Sequence, residues 1–232
     1  MIRTYYELAK PGIIYGNTLT AGAGFFLAGQ GVIEWSLLVV MLVGLSFIIA
    51  SACVFNNYFD RHIDARMERT KNRALVVGHA SKTGALLFGL ALLLFGTLTL
   101  HYYTNILALG VALVGFLVYV FLYTPLKPHT AHALWVGAVA GATPPVVGYT
   151  AASGVLDVYA WILFAALFLW QIPHFLAIAV YRFEEYRAAG IPLFISKTPS
   201  PETKKKARAV FYASLVVLLL GCLALILQRW VR

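Results

Sequence analysis

Charge is scarce in this sequence. Only 12% of its residues are Asp, Glu, Lys or Arg, against ~25% in an ordinary soluble domain. With 61% apolar residues and a mean hydropathy of +0.80, the chain has too little polar surface to cover a water-soluble body. The same figures exclude a disordered chain, which needs high charge and low hydrophobicity. Cysteine is nearly absent. Cys53 and Cys222 both sit in apolar runs, too few for a disulfide framework or a zinc site. Acidic residues number nine against eighteen basic ones. A net charge of +9 on a soluble protein would suggest nucleic acid. In a chain this apolar the positions of the charges matter more than their sum, and no nucleic-acid partner is expected.

The composition implies an all-α, polytopic membrane helix bundle. Seven runs approach the ~20 apolar residues that a span needs. They cover residues 12–28, 35–59, 83–103, 106–123, 133–150, 158–181 and 209–227. The runs are continuous rather than alternating, which disfavours a β-barrel. The first follows Arg3 and Lys10 as in a signal peptide, with a cleavage-like Ala21-Gly22-Ala23. Apolar sequence continues past that point, so a retained first helix is expected.

Basic residues fix the orientation. Arg3 and Lys10 precede the first span. Arg61, Arg66, Arg69, Lys71, Arg73 and Lys82 lie between the second and third, and Lys127 between the fourth and fifth. Arg182, Arg187, Lys197, Lys204, Lys205, Lys206 and Arg208 lie between the sixth and seventh. The three opposing loops hold none. This asymmetry predicts a cytoplasmic N-terminus and cytoplasmic basic loops. Arg229 and Arg232 fall on the opposite side and conflict mildly with it. The Lys204–Lys206 run also suits anionic membrane lipid.

Five acidic residues, Asp60, Asp64, Glu68, Glu184 and Glu185, gather at the cytoplasmic ends of the second and sixth spans. On a helix, Asn56, Asn57, Asp60 and Asp64 share an arc of ~100°. Like charges four residues apart weaken a helix, and ionisable groups at a membrane boundary are costly. A divalent cation would turn that repulsion into ligation, and hard oxygen donors suit Mg²⁺. The alternative is a solvated helix end paired to Arg61 and Arg66. In the second cluster His174, Tyr181 and Glu185 point within ~80° of one another, with Gln171 near the edge. Such a polar stripe faces a cavity or a partner helix rather than lipid. Pro173 is a candidate kink. The stretch Gly137–Gly148, GAVAGATPPVVG, reads as close helix packing or as space beside a bulky substrate.

Two carboxylate clusters among Arg and Lys, next to an apolar bundle, suggest one reaction class. Mg²⁺ and the cations would hold a diphosphate and take up its departing charge, while the chamber keeps water from a carbocation. That chemistry is ionisation of an allylic diphosphate and transfer of an isoprenoid chain.

At these residues the sequence resembles the UbiA superfamily of intramembrane prenyltransferases, and within it the protohaem IX farnesyltransferase group. The stretches that carry the likeness are KPGIIYGN from Lys10, ASACVFNNYFDRHID from Ala50, MERTKNR from Met67, GATPPVVGY from Gly141, WQIPHF from Trp170 and EYRAAGIP from Glu185. They cover most of the chain to about Pro192. The resemblance implies a bacterial inner-membrane enzyme that joins the farnesyl group of farnesyl diphosphate to a vinyl group of haem B. The product, haem O, would pass to terminal oxidases, with haem A synthase or oxidase assembly factors as partners. It implies catalytic Asp60, Asp64 and Glu185, and Mg²⁺ on Asn57, Asp60, Asp64 and Glu185, the last standing where the family usually has Asp. Arg69, Lys71 and Arg73 would hold diphosphate, with Lys127 and Arg182 as further candidates. His174 and Tyr181 are candidates for binding haem. Ala74 replaces a usual Pro, and the Tyr123–Lys127 turn is a residue short. The segment Leu193–Ser200 strays from the pattern. Residues 1–232 read as one membrane domain, two helices fewer than usual.

Three rival readings stay open, one of them an inactive, truncated paralogue. A quinone-type member of the superfamily would share the diphosphate chemistry but prenylate a small aromatic acceptor. A non-catalytic transport or haem-handling membrane protein would also place charges inside the membrane.

Overall fold

The computed structural model describes residues 2–29 and 32–231, with the side chains of residues 229–231 excepted. The loop position of Gly31, the side chain of Arg229, and Arg232 therefore lie outside the described residues. Among those described the fold is entirely helical. A short α1 (Ile2–Leu8) leads into α2 (Pro11–Ala28), α3 (Trp35–Asp64), α4 (Lys82–Tyr103) and α5 (Ile106–Leu117). The last continues through a π-helical stretch, Val118–Tyr123, into α6 (Thr124–Leu126). Then follow α7 (Ala133–Gly141), α8 (Thr143–Ser153), α9 (Val158–Tyr181), α10 (Phe183–Ala188) and α11 (Pro201–Val231).

Five of these helices are long and apolar enough to cross a membrane: α3, α4, the run from α5 to α6, α9 and α11. The other two expected spans are found as α2, rich in Gly and Thr, and as α7 and α8, which divide at Ala142. Leu90, Leu94, Val216 and Leu220 turn large apolar side chains outward, as a lipid-facing surface requires.

The loops opposite the acidic clusters are closed by helix caps. Asn105 Oδ1 accepts from Ala108 N–H at 2.9 Å, and Asn105 Nδ2 donates to the Thr150 carbonyl at 2.7 Å. Asp157 caps α9 through Tyr159 N–H and also accepts from the Tyr149 hydroxyl at 2.8 Å. Each cap satisfies an orphan N–H of a first turn, and both tie neighbouring helices together.

Small residues let the helices approach closely. A Cβ on Gly148 would lie 1.8 Å from the Ala21 carbonyl oxygen, and one on Gly24 would lie 2.0 Å from that of Pro145. The α2–α8 contact is thus backbone on backbone, the packing that membrane helices achieve with Gly. Gly148 serves this contact, whereas Gly137 and Gly141 of the same stretch face a chamber. The close-packing reading of the run thus holds at Gly148. The core joins Met41, Leu45 and Ile48 of α3 to Leu100, Phe116 and Val147. Pro173 lies inside α9 without ending it.

By the ~1.5 Å rise per residue, α3 is ~45 Å long, well beyond a ~30 Å hydrocarbon core. The stretch from Asn56 to Asp64 forms the C-terminal end of this long helix. The π-helical stretch affects how side chains align. Four residues turn ~40° past a full circle on an α-helix, and less where hydrogen bonds close over five residues. Tyr119, Tyr123 and Lys127, each four apart, stay nearer one stripe. Thr124 Oγ1 donates to the Tyr119 carbonyl at 2.8 Å.

Candidate active site

The ends of α3 and α6 and the loop before α2 enclose a polar cavity of about 430 Å³. Asp60 and Asp64, both almost fully buried, form one wall. Lys10, Arg69, Arg73 and Lys127 bring four cations to it. Lys127 Nζ bonds Asp60 Oδ2, and Arg73 Nη1 donates to Asp64 Oδ2 at 2.6 Å. Asn56 Nδ2 donates to Asp60 Oδ2 and to Thr124 Oγ1, each at 3.0 Å, while Asn56 Oδ1 accepts from Lys10. Four cations against two carboxylates leave the cavity formally at +2, a site for an anion.

Lys10 is the residue that sequence reasoning missed. The sequence marks it as a charge before a span and as the start of the KPGIIYGN stretch, with no site role. In the fold its backbone turns left-handed at φ 52°, the one positive φ outside glycine among the described residues. That turn directs its ammonium to Asn56. Desolvation by the surrounding protein pulls its pKa down to about 8. Tyr119, Tyr123 and Tyr186 also line the cavity without having been foreseen. Burial first, then the neighbouring Tyr123, pushes Tyr186 up to about 12.

The predicted residues are partly brought together. Asp60, Asp64, Arg69, Arg73 and Lys127 share the cavity. Asn57 does not line it. Its Nδ2 donates to the Leu8 carbonyl at 2.8 Å, while its Oδ1, the atom that would ligate a metal, is buried and accepts no hydrogen bond; Asn56 lines the cavity with its own Oδ1 engaged by Lys10. Lys71 pairs with Glu68 at the surface and also stays outside. Glu185 stands just behind the cavity wall. It accepts from Arg182 Nη1 at 2.7 Å, and its Oε2 is 3.8 Å from Arg69 Nε. Arg182 also donates to the Tyr181 hydroxyl at 3.2 Å; against the opposing effect of its burial, Tyr181 and Glu185 raise its pKa. The Tyr181 ring lies near Arg182, Arg208 and Phe211 and lines neither cavity.

Deeper in the bundle lies an apolar chamber of about 410 Å³. Gly12, Ile13, Tyr119 and Tyr123 border both spaces, so the polar cavity adjoins the chamber at this ring. Tyr119 and Tyr123 stack there with centroids 5.3 Å apart. Ile48, Ala52, Phe116 and Leu167 form chamber walls, and Gln171 and His174 add polar atoms. A Cβ on Gly141 would lie 2.0 Å from Gln171 Oε1, so a larger residue there would require that side chain to move. Gln171 Nε2 donates to the Ala138 and Leu167 carbonyls.

The oxygen set fits Mg²⁺. Asp60 and Asp64 offer hard carboxylate donors on one wall, and outside the cavity lining the buried Asn57 Oδ1 and Glu185 Oε2 accept no hydrogen bond. Among the described residues no three His, Cys, Asp or Glu side chains converge into a closed metal site. Mg²⁺ does not need one, since it is usually held by one or two carboxylates with water and substrate phosphate.

Comparison with known proteins places this architecture. Residues 17–231 match the model of the UbiA prenyltransferase family. A protein named protoheme IX farnesyltransferase from Protochlamydia amoebophila (strain UWE25) is 48% identical over 204 residues, covering 88% of this chain and 72% of that one. One of the same name from Marinomonas sp. (strain MWYL1) is 46% identical over 83% of this chain and 66% of its own. The chain thus spans 66–72% of the length of these relatives. A UbiA homologue from Archaeoglobus fulgidus, solved with DMAPP and Mg²⁺, shares the fold at a TM-score of 0.72 and 16% identity, over 98% of this chain and 85% of that one. With several helices apolar and long enough to span a bilayer and a family match over nearly its whole length, this is an integral membrane protein, and it belongs to the UbiA prenyltransferase family.

Proposed function

We propose that this chain transfers the farnesyl group of farnesyl diphosphate to a vinyl group of haem B, giving haem O. The observation that carries the reading is the junction of an anion-seeking cavity with an apolar chamber at Tyr119 and Tyr123. One molecule with a diphosphate head and a hydrocarbon tail matches both spaces at once. The farnesyl donor and haem acceptor follow from relatives that are 48% and 46% identical and bear the name protoheme IX farnesyltransferase.

In this reading Lys10, Arg69, Arg73 and Lys127 hold the diphosphate and neutralise its charge as it departs. Asp60 and Asp64 hold Mg²⁺, with Asn56 the amide on their face of the cavity. Glu185 orients Arg69 and Arg182 from behind the wall. When bound, the metal supplies Lewis-acid charge to the leaving group. The bond between farnesyl C1 and the diphosphate oxygen breaks, and the electron pair leaves with diphosphate. The vinyl group's terminal carbon bonds to C1. Water then adds at the neighbouring carbon and releases a proton. The chamber walls keep other water from the allylic cation until the vinyl group meets it. The basic loops lie on the cytoplasmic side of a bacterial inner membrane, and the product passes to terminal oxidases or to haem A synthase.

Pigment extraction tests the reading. Membranes that carry this protein should contain a haem heavier than haem B by one farnesyl group and one hydroxyl, and membranes without it should not. Identical haem profiles would overturn it.

A further inference from the structure

His174 lines the apolar chamber, and neighbours on α9 and α11 fix its ring. Trp170 stacks on it with centroids 4.9 Å apart, and Phe211 lies against it at 4.9 Å. Its Nδ1 is 2.8 Å from Ser214 Oγ. Trp170 Nε1 donates to the Ser214 carbonyl at 2.9 Å. Two residues one turn apart on α9 thus engage a single serine of α11.

The direction of the Nδ1–Oγ bond follows from the serine. A hydroxyl has one hydrogen to donate. Ser214 Oγ lies 2.6 Å from the Phe211 carbonyl oxygen, which has none, so the serine hydrogen goes there. Oγ must then accept from an Nδ1–H. A neutral imidazole protonated at Nδ1 carries its lone pair at Nε2. Nε2 makes no hydrogen bond to any described residue.

We propose that Ser214 is a positioning residue that holds His174 in its Nδ1–H tautomer, so that Nε2 ligates the iron of a haem acceptor in the chamber. This rests on the reading of haem B as the acceptor. A lone pair at Nε2 binds iron and repels a propionate oxygen, which is itself an acceptor. Metal-ligating histidines typically donate their other N–H to a second partner, which sets the ring orientation and raises its basicity. Here that partner is Ser214, anchored in turn to the Phe211 carbonyl. Ligation fixes the macrocycle against one wall and so selects which carbon meets the allylic cation, where a ~1 Å misplacement costs ~10²-fold in rate.

The test titrates haem B and metal-free protoporphyrin IX into the full chain in detergent. The unaltered protein should bind haem B at least ~10-fold more tightly, with the electron paramagnetic resonance signature of an imidazole-ligated iron. Ser214→Ala should lose ~10-fold in haem affinity and leave protoporphyrin affinity unchanged, Ser214→Thr should restore it, and His174→Ala should abolish the preference for iron. Equal binding of the two porphyrins by the unaltered protein overturns the proposal without reliance on any variant. So does a folded Ser214→Ala protein with unchanged haem affinity and iron signature. Haem O formation in the same sample separates the two claims. Product without an iron–imidazole signature overturns this proposal alone, whereas neither product nor iron-dependent binding overturns both.

Discussion

Lys127 bonds the carboxylate of Asp60 across sixty-seven positions of sequence, joining the end of α6 to the last turns of α3. The carboxylate side chain is only 3% exposed. Removing one member of such a pair leaves the other charge buried. Lys127→Met should therefore lower stability by up to about 3 kcal/mol. Adding Asp60→Asn to it should recover most of the loss, because no charge is then stranded. Thermal unfolding in detergent measures both; a double variant no more stable than Lys127→Met would show that the pair is not energetically coupled.

The same carboxylates carry the chemistry of the proposed function. Asp60→Asn and Asp64→Asn should each reduce turnover by ~10²-fold or more while the protein still inserts, since a lost metal ligand removes several kcal/mol of transition-state stabilisation. A chelator should do the same to the unaltered protein, and added Mg²⁺ should reverse it. Near-normal turnover in either variant would remove these residues from the metal site.

Backbone contact between α2 and α8 predicts a sharp contrast among glycines. Gly148→Ala drives a methyl group into the Ala21 carbonyl and should destabilise the protein by about 1–3 kcal/mol. Gly22→Ala has nothing within 4 Å and should be neutral or slightly stabilising, as helix propensity favours Ala. Unfolding midpoints in detergent compare the two, and equal effects would contradict the packing.

The loop charges predict orientation. Single cysteines placed at His79 and Thr203, both exposed, should label in intact cells only with a permeant reagent. A cysteine at exposed Val155 should label with an impermeant one. Native Cys53 and Cys222 are buried, which keeps the background low. Direct labelling at Thr203 would invert the assignment.

The helices were legible in the sequence because each apolar run is near the length a span demands. The carboxylates were legible because charge inside such runs is costly and therefore conspicuous. The site's finer composition was not. Asn56 and Asn57 fall on the same ~100° face, and helical arithmetic cannot rank them. What separates them is tertiary: the Leu8 carbonyl takes the Asn57 Nδ2 and leaves its Oδ1 without a partner, whereas Lys10 engages the Asn56 Oδ1. Lys10 looked like any lysine before a span, and its role depends on a left-handed turn that no local pattern announces. Lys71 sits in the same basic run as Arg69 and Arg73, yet Glu68 three residues earlier holds it at the surface. The π-helical stretch that aligns Tyr119, Tyr123 and Lys127 is likewise a departure from the regular periods that sequence reading relies on.

The most direct test of the account is a purified reaction with farnesyl diphosphate, haem B and Mg²⁺, followed at once by diphosphate release and by the mass of the haem. The account predicts one haem O formed for each diphosphate released, with both lost in the Asp60→Asn variant. Diphosphate release with haem B unchanged, or farnesylation of 4-hydroxybenzoate in its place, would contradict it.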